Sequence, residues 1–499
     1  MRDFRGAWVL VASAFGLVVA CGSFNSSDTV TPVADAGLDA ANPPVGGDPT
    51  GEVTLGVPKD LVLVQNQSLV VDVAITRTSP ESGITLSLVG LPSGIAVAPV
   101  DVPATTTSAK LSFVVSKIAV QGPLNGVMLE ARSGARIVKQ VPLTGSVRGG
   151  SGELDTTFGT AGIVALANDF DQLAMREDGA FYVLQQLPPY AVRKYTKDGA
   201  LDTTFATSGV YTPNVNAPVA SIAWHAPHLF VAGTTGTDWY ARRLDGNGTL
   251  DTTYGAAGTY LQAVTGTNAV TRIAVGSLGE AVIVGTIDGY AALAWVTTAG
   301  GVALASPNID SGLSKTVIGV ALTGAVHEGT RVVAAGTRQV PRILASTHKF
   351  DNTFTASGIY DLDAGAAMRS LALDSAKNYV VGGLESAGEY LLVARLTPDG
   401  KPDGTFGTNG VFQPKIATNG GGGALAVSGD KILQVGTIID GVDYKCIVVR
   451  YTNDGKLDSS WGDGGKYTST FTECYAGEVA PQPDGRIVVS GSKLLRLWP

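Results

Sequence analysis

One six-residue phrase, of the form Leu-Asp-Thr-Thr-Phe-Gly, recurs along most of the chain and constrains its fold more than any other feature. Its aspartates stand at positions 155, 202, 251, 351, 403 and 458, so the intervals are 47, 49, 100, 52 and 55 residues. A repeat of this period marks a chain built from copies of one supersecondary unit. The interval of 100 is two periods with one eroded copy near Gly301 to Ala305, so the sequence predicts seven units.

Each unit shows the same order of strand patterns. An alternating run such as Ala367–Leu373 comes first, and a short apolar run that ends in glycine, such as Val282–Gly285, follows it. A third run ends in a basic residue before a turn, and the repeated phrase then leads into a short fourth strand. Four strands in roughly 50 residues are typical of one propeller blade. The predicted fold class is therefore all-β, with a seven-bladed β-propeller over residues 153–499.

The repeated phrases closely resemble the bacterial delta-60 repeat and, more loosely, the NHL repeat. The resemblance covers residues 153–499 and rests on phrases such as Leu154–Gly159 and Leu250–Gly255. It implies a propeller used mainly as a scaffold, and it carries no particular activity. The fourth unit departs from the pattern, because no Asp-aromatic phrase survives near residue 304, so the resemblance does not define its outer hairpin.

Residues 1–20 have the composition of a secretory signal peptide. Two arginines precede an uncharged run from Ala7 to Ala20, which is shorter than the ~20 apolar residues that a membrane-spanning helix needs. The run ends in Val18–Gly22, which resembles the lipobox of bacterial lipoproteins and implies lipidation of Cys21. The alternative is an ordinary signal peptide with an incidental cysteine. Residues 21–51, rich in small and polar residues, predict a flexible tether.

Residues 52–147 carry short alternating runs separated by turn residues, including Leu69–Ile75 and Lys110–Val115. About seven strands in a segment of this length predict a β-sandwich of immunoglobulin type. The run Leu91–Val97 also resembles a phrase common in bacterial surface immunoglobulin-like domains. Such a domain would act as a spacer or, alternatively, as an adhesive module.

The repeated aspartates allow two interpretations. A ring of carboxylates would bind calcium, whereas an aspartate in an Asx-turn caps backbone N–H groups and leaves the following aromatic ring to pack between blades. The spacing favours the structural role, because no second acidic residue follows at ligand spacing. The six residues are Asp155, Asp202, Asp251, Asp351, Asp403 and Asp458.

Aromatic residues recur where the third strand of a unit begins, in five of the seven predicted units. They would line a rim that stacks on sugars, or they would pack between blades as amphipathic rings. The residues are Tyr190, Trp239, Tyr240, Tyr290, Tyr390 and Tyr444.

Sequence motifs of catalysis or metal binding are missing: there is no nucleophile elbow, phosphate loop or His-Glu-x-x-His. His225 and His228 fall at a predicted turn without a third ligand nearby, which favours a surface turn over a zinc site. Gly420–Gly423 opens no predicted helix, so we expect a loop between blades and not a phosphate cradle. The sequence therefore predicts no catalytic residue, metal or cofactor.

The two ends of the repeat region predict how the propeller closes. The region begins with the first phrase and a fourth-type strand near Gly162–Leu166, and it ends at a third-type strand, Leu494–Trp498. The first segment would therefore complete the last blade, which removes two open sheet edges.

Cys446 and Cys474 are the only cysteines besides Cys21. They lie symmetrically about a hairpin centred near Ser460, so antiparallel pairing would place them opposite each other at its open end. In an oxidising compartment this predicts a disulfide. The alternative is two buried, unpaired thiols.

The formal charge of −8 and the lack of a Lys/Arg cluster argue against a nucleic-acid partner.

The sequence predicts a non-catalytic lipoprotein of the bacterial envelope, at the outer membrane or cell surface. It would be held to the membrane by its lipid anchor, and its propeller would bind an unknown protein or glycan. One alternative is a propeller-based lyase or hydrolase acting on glycans or peptides, since the fold hosts enzymes as well. Another is a purely structural envelope component.

Overall fold

The structure is a computed structural model, and it describes residues 52–79, 82–166, 172–213, 217–236, 238–298, 302–305, 322–362, 366–385, 390–418 and 422–499. All regular structure in these ranges is β-strand. They contain no helix of the length and apolarity that a membrane crossing requires. The predicted signal peptide, Cys21 and the tether lie outside the described residues.

The first β unit follows the predicted alternation of buried and exposed residues. In one of its strands, Ser108–Val115, every second side chain is buried, as expected where one face of a sheet covers a core. The eleven strands described in this unit are β1 (Val53–Gly56), β2 (Leu61–Val64), β3 (Gln67–Arg77), β4 (Ile84–Val89), β5 (Ile95–Val97), β6 (Val100–Val102), β7 (Ser108–Val115), β8 (Gly122–Pro123), β9 (Met128–Ser133), β10 (Arg136–Pro142) and β11 (Gly145–Arg148).

Two four-stranded sheets of this unit have the orders β1-β3-β7-β5 and β10-β9-β4-β6. A three-stranded sheet, β2-β11-β8, completes it, and β2 and β11 run parallel. Leu86, Phe113 and Leu129 are fully buried, and strands of both four-stranded sheets contribute to this one core.

Four-stranded antiparallel sheets make up the rest of the described chain. Sheet 1 consists of β13 (Gln172–Met175), β14 (Phe181–Gln185), β15 (Ala191–Tyr195) and β16 (Val210–Tyr211). Sheet 2 consists of β17 (Val219–His225), β18 (His228–Thr235), β19 (Asp238–Asp245) and β20 (Thr259–Gln262). Sheet 3 consists of β21 (Asn268–Val275), β22 (Ala281–Ile287), β23 (Tyr290–Val296) and β24 (Val302–Ala305). Sheet 4 consists of β25 (Leu322–His327), β26 (Arg331–Gly336), β27 (Gln339–Leu344) and β28 (Ile359–Asp361). Sheet 5 consists of β29 (Ala366–Leu373), β30 (Tyr379–Glu385), β31 (Leu391–Leu396) and β32 (Val411–Phe412). Sheet 6 consists of β33 (Gly422–Ser428), β34 (Lys431–Asp440), β35 (Asp443–Tyr451) and β36 (Lys466–Thr468). Sheet 7 is β37 (Ala476–Pro481), β38 (Ile487–Gly491), β39 (Lys493–Leu497) and β12 (Ile163–Ala165).

The sheets close into a ring, which is the arrangement of a β-propeller. The first strand of each sheet contacts the first strand of the next, and β37 of sheet 7 contacts β13 of sheet 1. We call these seven the inner strands. Strand β12 pairs with β39 through Ile163 and Leu495, which confirms that the start of the repeat region completes the last sheet. The eroded copy of the phrase still provides a fourth strand, β24.

The second strands of the sheets are buried on both faces. All five residues of β14 are buried, as are Ala281–Gly285 in β22. This explains why these strands are continuous apolar runs in the sequence and do not alternate, because each sheet packs against a neighbour on either side.

The first β unit contacts the closing sheet of the propeller. Trp498 donates its indole N–H to Oε1 of Gln121 at 3.0 Å, and the amide of Gln121 donates to the carbonyl of Leu154 at 3.2 Å. The two parts of the chain therefore meet where β12 and β39 close the ring.

Candidate functional site

The inner strands surround a cavity on the propeller axis. It has a volume of about 310 Å³ and is lined by residues of all seven inner strands. At the end where these strands begin, it opens into a cavity of about 560 Å³, which we call the mouth. The mouth is lined by the first halves of the inner strands of sheets 1 and 3 to 7, together with Gln186.

A local irregularity shapes the mouth. The pairing of the inner strand with its neighbour shifts register at the same place in sheets 2 to 7, which is the mark of a β-bulge. Such bulges redirect side chains out of the regular pleat, here toward the axis. The residues at the shifts are Ala220-Ser221, Thr271-Arg272, Thr323-Gly324, Arg369-Ser370, Gly423-Ala424 and Gly477-Glu478.

Hydrogen bonds at the level of these bulges link each sheet to the next around the whole ring. A side chain of one sheet bonds the backbone or side chain of its neighbour at every junction, so these bonds connect the walls of the mouth to one another. The bonds are Ser221 Oγ to Gln172 Oε1 (2.9 Å), Ile273 N to Ser221 Oγ (3.0 Å), Thr271 Oγ1 to the Leu322 carbonyl, Thr323 Oγ1 to the Met368 carbonyl (2.8 Å), Ser370 Oγ to the Leu425 carbonyl (3.3 Å), Ala476 N to Thr437 Oγ1 (3.0 Å) and Leu173 N to Glu478 Oε2 (2.9 Å).

An ion pair crosses the axis at the mouth. Arg272 of sheet 3 donates to Glu478 of sheet 7, and their side chains are 21% and 16% exposed. Because Glu478 also accepts the N–H of Leu173, this carboxylate ties three sheets together.

Arg369 is the other arginine of the mouth. It stands at the bulge of β29, and no ion pair or hydrogen bond joins its guanidinium to another residue among those described. Although the residue is exposed to the mouth, partial burial by the walls lowers the pKa of its guanidinium. The mouth therefore holds one compensated and one uncompensated guanidinium in its described part.

Small residues form the side of the mouth next to Arg369. Gly422 and Gly423 have φ angles of 102° and 95°, a region that glycine adopts without strain. A Cβ on Gly422 would lie 2.3 Å from Cα of Gly436, and one on Gly423 would lie 3.2 Å from Cα of Gly383. Gly422 and Gly423, expected to lie in a loop between blades, instead begin the inner strand β33, while Gly420 and Gly421 lie outside the described residues.

The opposite end of the propeller carries the repeated phrase. First and third strands of an antiparallel sheet run in the same direction, so the end of a third strand lies away from the mouth. There a basic residue of the third strand pairs with the aspartate of the phrase in six sheets of the described chain. The pairs are Lys194–Asp202 (2.9 Å), Arg243–Asp251 (2.7 Å), Arg342–Asp351 (2.8 Å), Arg395–Asp403 (2.7 Å), Arg450–Asp458 (3.0 Å) and Arg496–Asp155 (2.7 Å).

Each of these aspartates also makes the hydrogen bonds of an Asx-turn. Its Oδ1 accepts the backbone N–H (2.9–3.2 Å) and the hydroxyl (2.5–2.7 Å) of the Thr or Ser two residues later. These bonds from Thr204 and Thr253 lower the pKa values of Asp202 and Asp251 to about 2. Within the described ranges, no group of three or more His, Cys, Asp or Glu residues could hold a metal ion.

The aromatic residue of the phrase lies under the guanidinium in five of these clusters. The distance from the arginine Cζ to the ring centroid is between 4.7 and 5.3 Å. Phe158, fully buried, packs against Phe181 of sheet 1 and Val488 of sheet 7, so the ring lies between two sheets. We call the aspartate, its basic partner and this ring the phrase cluster.

The predicted aromatic rim lies at the same end as the mouth but does not form one exposed surface. Trp239 and Tyr240 are 1% exposed, and they donate to Asn268 Oδ1 (3.0 Å) and to the carbonyl of Pro218 (3.3 Å). Tyr290 is 48% exposed, whereas Tyr190, Tyr390 and Tyr444 are half-buried. The third strands stand behind the inner strands, so these rings do not line the mouth.

The histidine pair and the two cysteines lie away from the mouth lining. His225 and His228 face each other across the β17–β18 hairpin, and their nearest polar partners are Ser277 and Asp251. Cys446 and Cys474 are bonded to each other, with a Cα–Cα distance of 5.0 Å, and both are buried. This disulfide joins the third strand of sheet 6 to the segment that enters β37.

Comparison with known proteins supports the propeller architecture. The family model described as "Domain of unknown function (DUF5122) beta-propeller" matches residues 228–254, which run from β18 into the third copy of the phrase. No curated protein matches the chain. The family match and the closed ring of sheets together show that the chain contains a β-propeller.

Two solved structures are similar at low identity. One is a quinonprotein alcohol dehydrogenase-like protein from Bacteroides thetaiotaomicron VPI-5482, which is 12% identical over 72% of this chain and 94% of that chain, with a TM-score of 0.31. The other is a GH43 β-1,3-galactosidase, 9% identical over 57% of this chain and 56% of that chain, with a TM-score of 0.27. The chain thus spans about half the length of the galactosidase. Neither similarity bears on the function of this chain.

Proposed function

We propose that the chain is an exported, lipid-anchored binding protein without catalytic activity, and that its seven-bladed propeller binds a ligand at the mouth. The immunoglobulin-type sandwich and the tether would hold the propeller away from the membrane. The ligand belongs to the glycans or proteins of the bacterial envelope or its surroundings.

The observation that carries this proposal is the contrast between the mouth and the rest of the repeated structure. Six sheets share the pair of aspartate and basic residue, but the side chains at the bulges differ from sheet to sheet and include Arg272, Arg369 and Glu478. Side chains that only stabilise a repeat are expected to recur with it, because every copy meets the same packing requirement. Different side chains converging on one cavity instead favour a binding site.

The proposed sandwich is supported by its strand order. With β1, β3, β4, β5, β7, β9 and β10 taken as strands A to G, the sheets read A-B-E-D and G-F-C, which is the constant-type immunoglobulin order. Strand β6 then adds to the edge of strand C.

Binding at the mouth is tested with arrays of bacterial glycans and peptides probed with the full mature protein. Ala424→Trp would fill the mouth without changing its charge, and Lys401→Ala is a matched control, because Lys401 is exposed at the opposite end of the neighbouring sheet. We expect bound ligands to be lost by the Trp variant and retained by the control. Ligands that bind both variants equally would exclude the mouth as the site, and turnover of a bound ligand would identify an enzyme.

The proposed anchor is supported by the resemblance of Val18–Gly22 to a lipobox. Metabolic labelling with a palmitate analogue should mark the wild type and leave Cys21→Ser unlabelled. Equal labelling of both proteins, or a mature mass that retains residues 1–20, would exclude lipidation at this position.

A further inference from the structure

Arg369 indicates the chemical class of the ligand that the mouth would bind. The five arginines of the phrase clusters each pair with a carboxylate, and Arg272 pairs with Glu478. Arg369 is instead exposed to the mouth, and no carboxylate of the described chain pairs with it. The planar fork of an unpaired guanidinium matches a carboxylate with two charge-assisted hydrogen bonds, so an uncompensated arginine in a cavity favours an anionic ligand.

We propose that the mouth binds an acidic saccharide of the uronate type, whose carboxylate pairs with Arg369. This inference rests on the proposed function of the mouth and adds the class of ligand. Arg272 is already neutralised by Glu478, so the described lining carries one uncompensated positive charge, although the whole chain has a formal charge of −8.

The shape of the mouth leaves room for a sugar ring beside Arg369. A Cβ on Gly423 would come within 3.5 Å of Cδ of Arg369, so glycine at this position leaves the arginine side chain uncovered. The lining continues with Gly422, Ala424 and Ala476, none of which has a side chain beyond Cβ. A ring whose carboxylate meets Arg369 would lie over these small residues.

The polarity of the mouth favours a saccharide over a peptide. Apart from alanine and glycine, its described lining consists of Arg, Glu, Gln and Thr, with no aromatic or large aliphatic side chain. A bound peptide gains much of its affinity from apolar side chains in pockets, which this surface does not offer. The hydroxyl groups of a sugar would instead donate to the amide oxygen of Gln186, whose N–H group bonds the carbonyl of Ala220, and to the acceptor positions that Arg272 and Leu173 leave on Glu478.

The test compares trigalacturonate with its fully methyl-esterified form, which keeps the rings and hydroxyl groups and removes the charges. Titration calorimetry on the full mature protein should show binding of the acid, and binding of the ester weaker by roughly 10- to 100-fold, the range expected for loss of a charge-assisted hydrogen bond. Arg369→Ala should weaken acid binding by the same factor, and Arg369→Lys should restore part of it. Lys401→Ala should bind like the wild type, and thermal melting checks that the variants are folded.

Equal affinity for the acid and the ester, or undetectable binding of both, would overturn the inference. So would binding of an oligoglutamate peptide at the mouth without binding of trigalacturonate. Another ligand that is lost with Ala424→Trp but unaffected by Arg369→Ala would overturn the acidic saccharide and leave the proposed function standing. Ligands insensitive to both substitutions would overturn the proposed function as well.

Discussion

At the end of the propeller away from the mouth, an aspartate pairs with a basic side chain in six described sheets, and an aromatic ring lies under the guanidinium in five of them. At the mouth, the inner strands carry side chains that differ from sheet to sheet. Both ends are rich in polar groups and both hold ion pairs. The two ends differ in whether their charges are paired. In each phrase cluster the charged side chains pair with one another, whereas the mouth includes Arg369, whose charge no described residue compensates.

The phrase cluster satisfies its charges through several contacts at once. Oδ1 of Asp155 accepts two hydrogen bonds from Thr157, and its Oδ2 accepts from Arg496 and Arg486. Buried charges are tolerated only where pairing and hydrogen bonds replace water. Because the phrase cluster pairs its buried charges, it stabilises each copy of the repeat in the same way. This explains why its residues recur as a phrase in the sequence.

The largest expected effect comes from removing the strand that closes the ring, because both ends depend on it. Deletion of residues 153–168 removes β12 and Asp155 and leaves an unpaired edge on β39. An open edge invites association with other chains. We expect aggregation or loss of cooperative unfolding, measured by light scattering and thermal melting. A deletion of equal length within residues 22–51 is the control, and a 153–168 deletion that melts like the wild type would contradict closure by this strand.

The next largest effect contrasts one arginine from each end. Arg496 and Asp155 are both fully buried, so Arg496→Ala leaves a carboxylate without its main partner. Breaking a buried pair in this way costs about 3–5 kcal/mol, and the value should fall toward the lower limit because Arg486 stays in contact with Asp155. Arg369→Ala removes an exposed side chain and should change stability by less than about 0.5 kcal/mol. Urea unfolding of both variants measures the difference, and comparable losses would contradict the contrast between the two ends.

The sequence predicted the repeated end far better than the mouth, for a physical reason. The phrase is local, so Asp403, its turn and its ring can be read within one short stretch, and repetition amplifies the pattern. The mouth is assembled from bulges that bring together residues such as Arg272, Arg369 and Glu478 from distant sheets. No spacing rule connects them, because each stands in a different unit and none repeats.

The predicted aromatic rim shows another limit of prediction from sequence patterns. Tyrosines at the start of third strands do recur in the sequence, but recurrence alone does not distinguish packing from binding. Tyr240 is covered and donates to the carbonyl of Pro218, while Tyr290, which also lies near the start of a third strand, is exposed. Whether such a ring is covered depends on its neighbours in space, which the sequence of one unit does not contain.

A smaller effect is expected from the disulfide, which joins sheet 6 to the segment entering sheet 7. A cross-link between residues separated by 28 positions would stabilise by up to about 3.5 kcal/mol in the chain-entropy model. The gain should be less, because the hairpin between them already restrains the loop. Cys446→Ser with Cys474→Ser should lower the urea midpoint accordingly, and alkylation of the denatured, unreduced wild type should leave both sulfurs unmodified. Modification of both without reductant would show that the thiols are free.

The smallest expected effect belongs to the phrase cluster of sheet 1, where Lys194 replaces the usual arginine. Asp202 is 19% exposed, so its pair with Lys194 is weakened by solvent, and Asp202→Asn should cost only about 1 kcal/mol at neutral pH. Hydrogen bonds from Thr204 and from Lys194 lower the pKa of Asp202 to about 2, below its ordinary value near 4. The ionised carboxylate therefore stabilises the fold above pH ~4, and this contribution is lost as the pH falls toward ~2.

Melting curves should show the gap in melting temperature between wild type and Asp202→Asn narrowing across that interval. Asp399→Asn, at an exposed turn, should show no such gap at either pH. A gap that stays constant from pH 7 to pH 2 would mean that the charge of Asp202 does not contribute to the stability of its cluster.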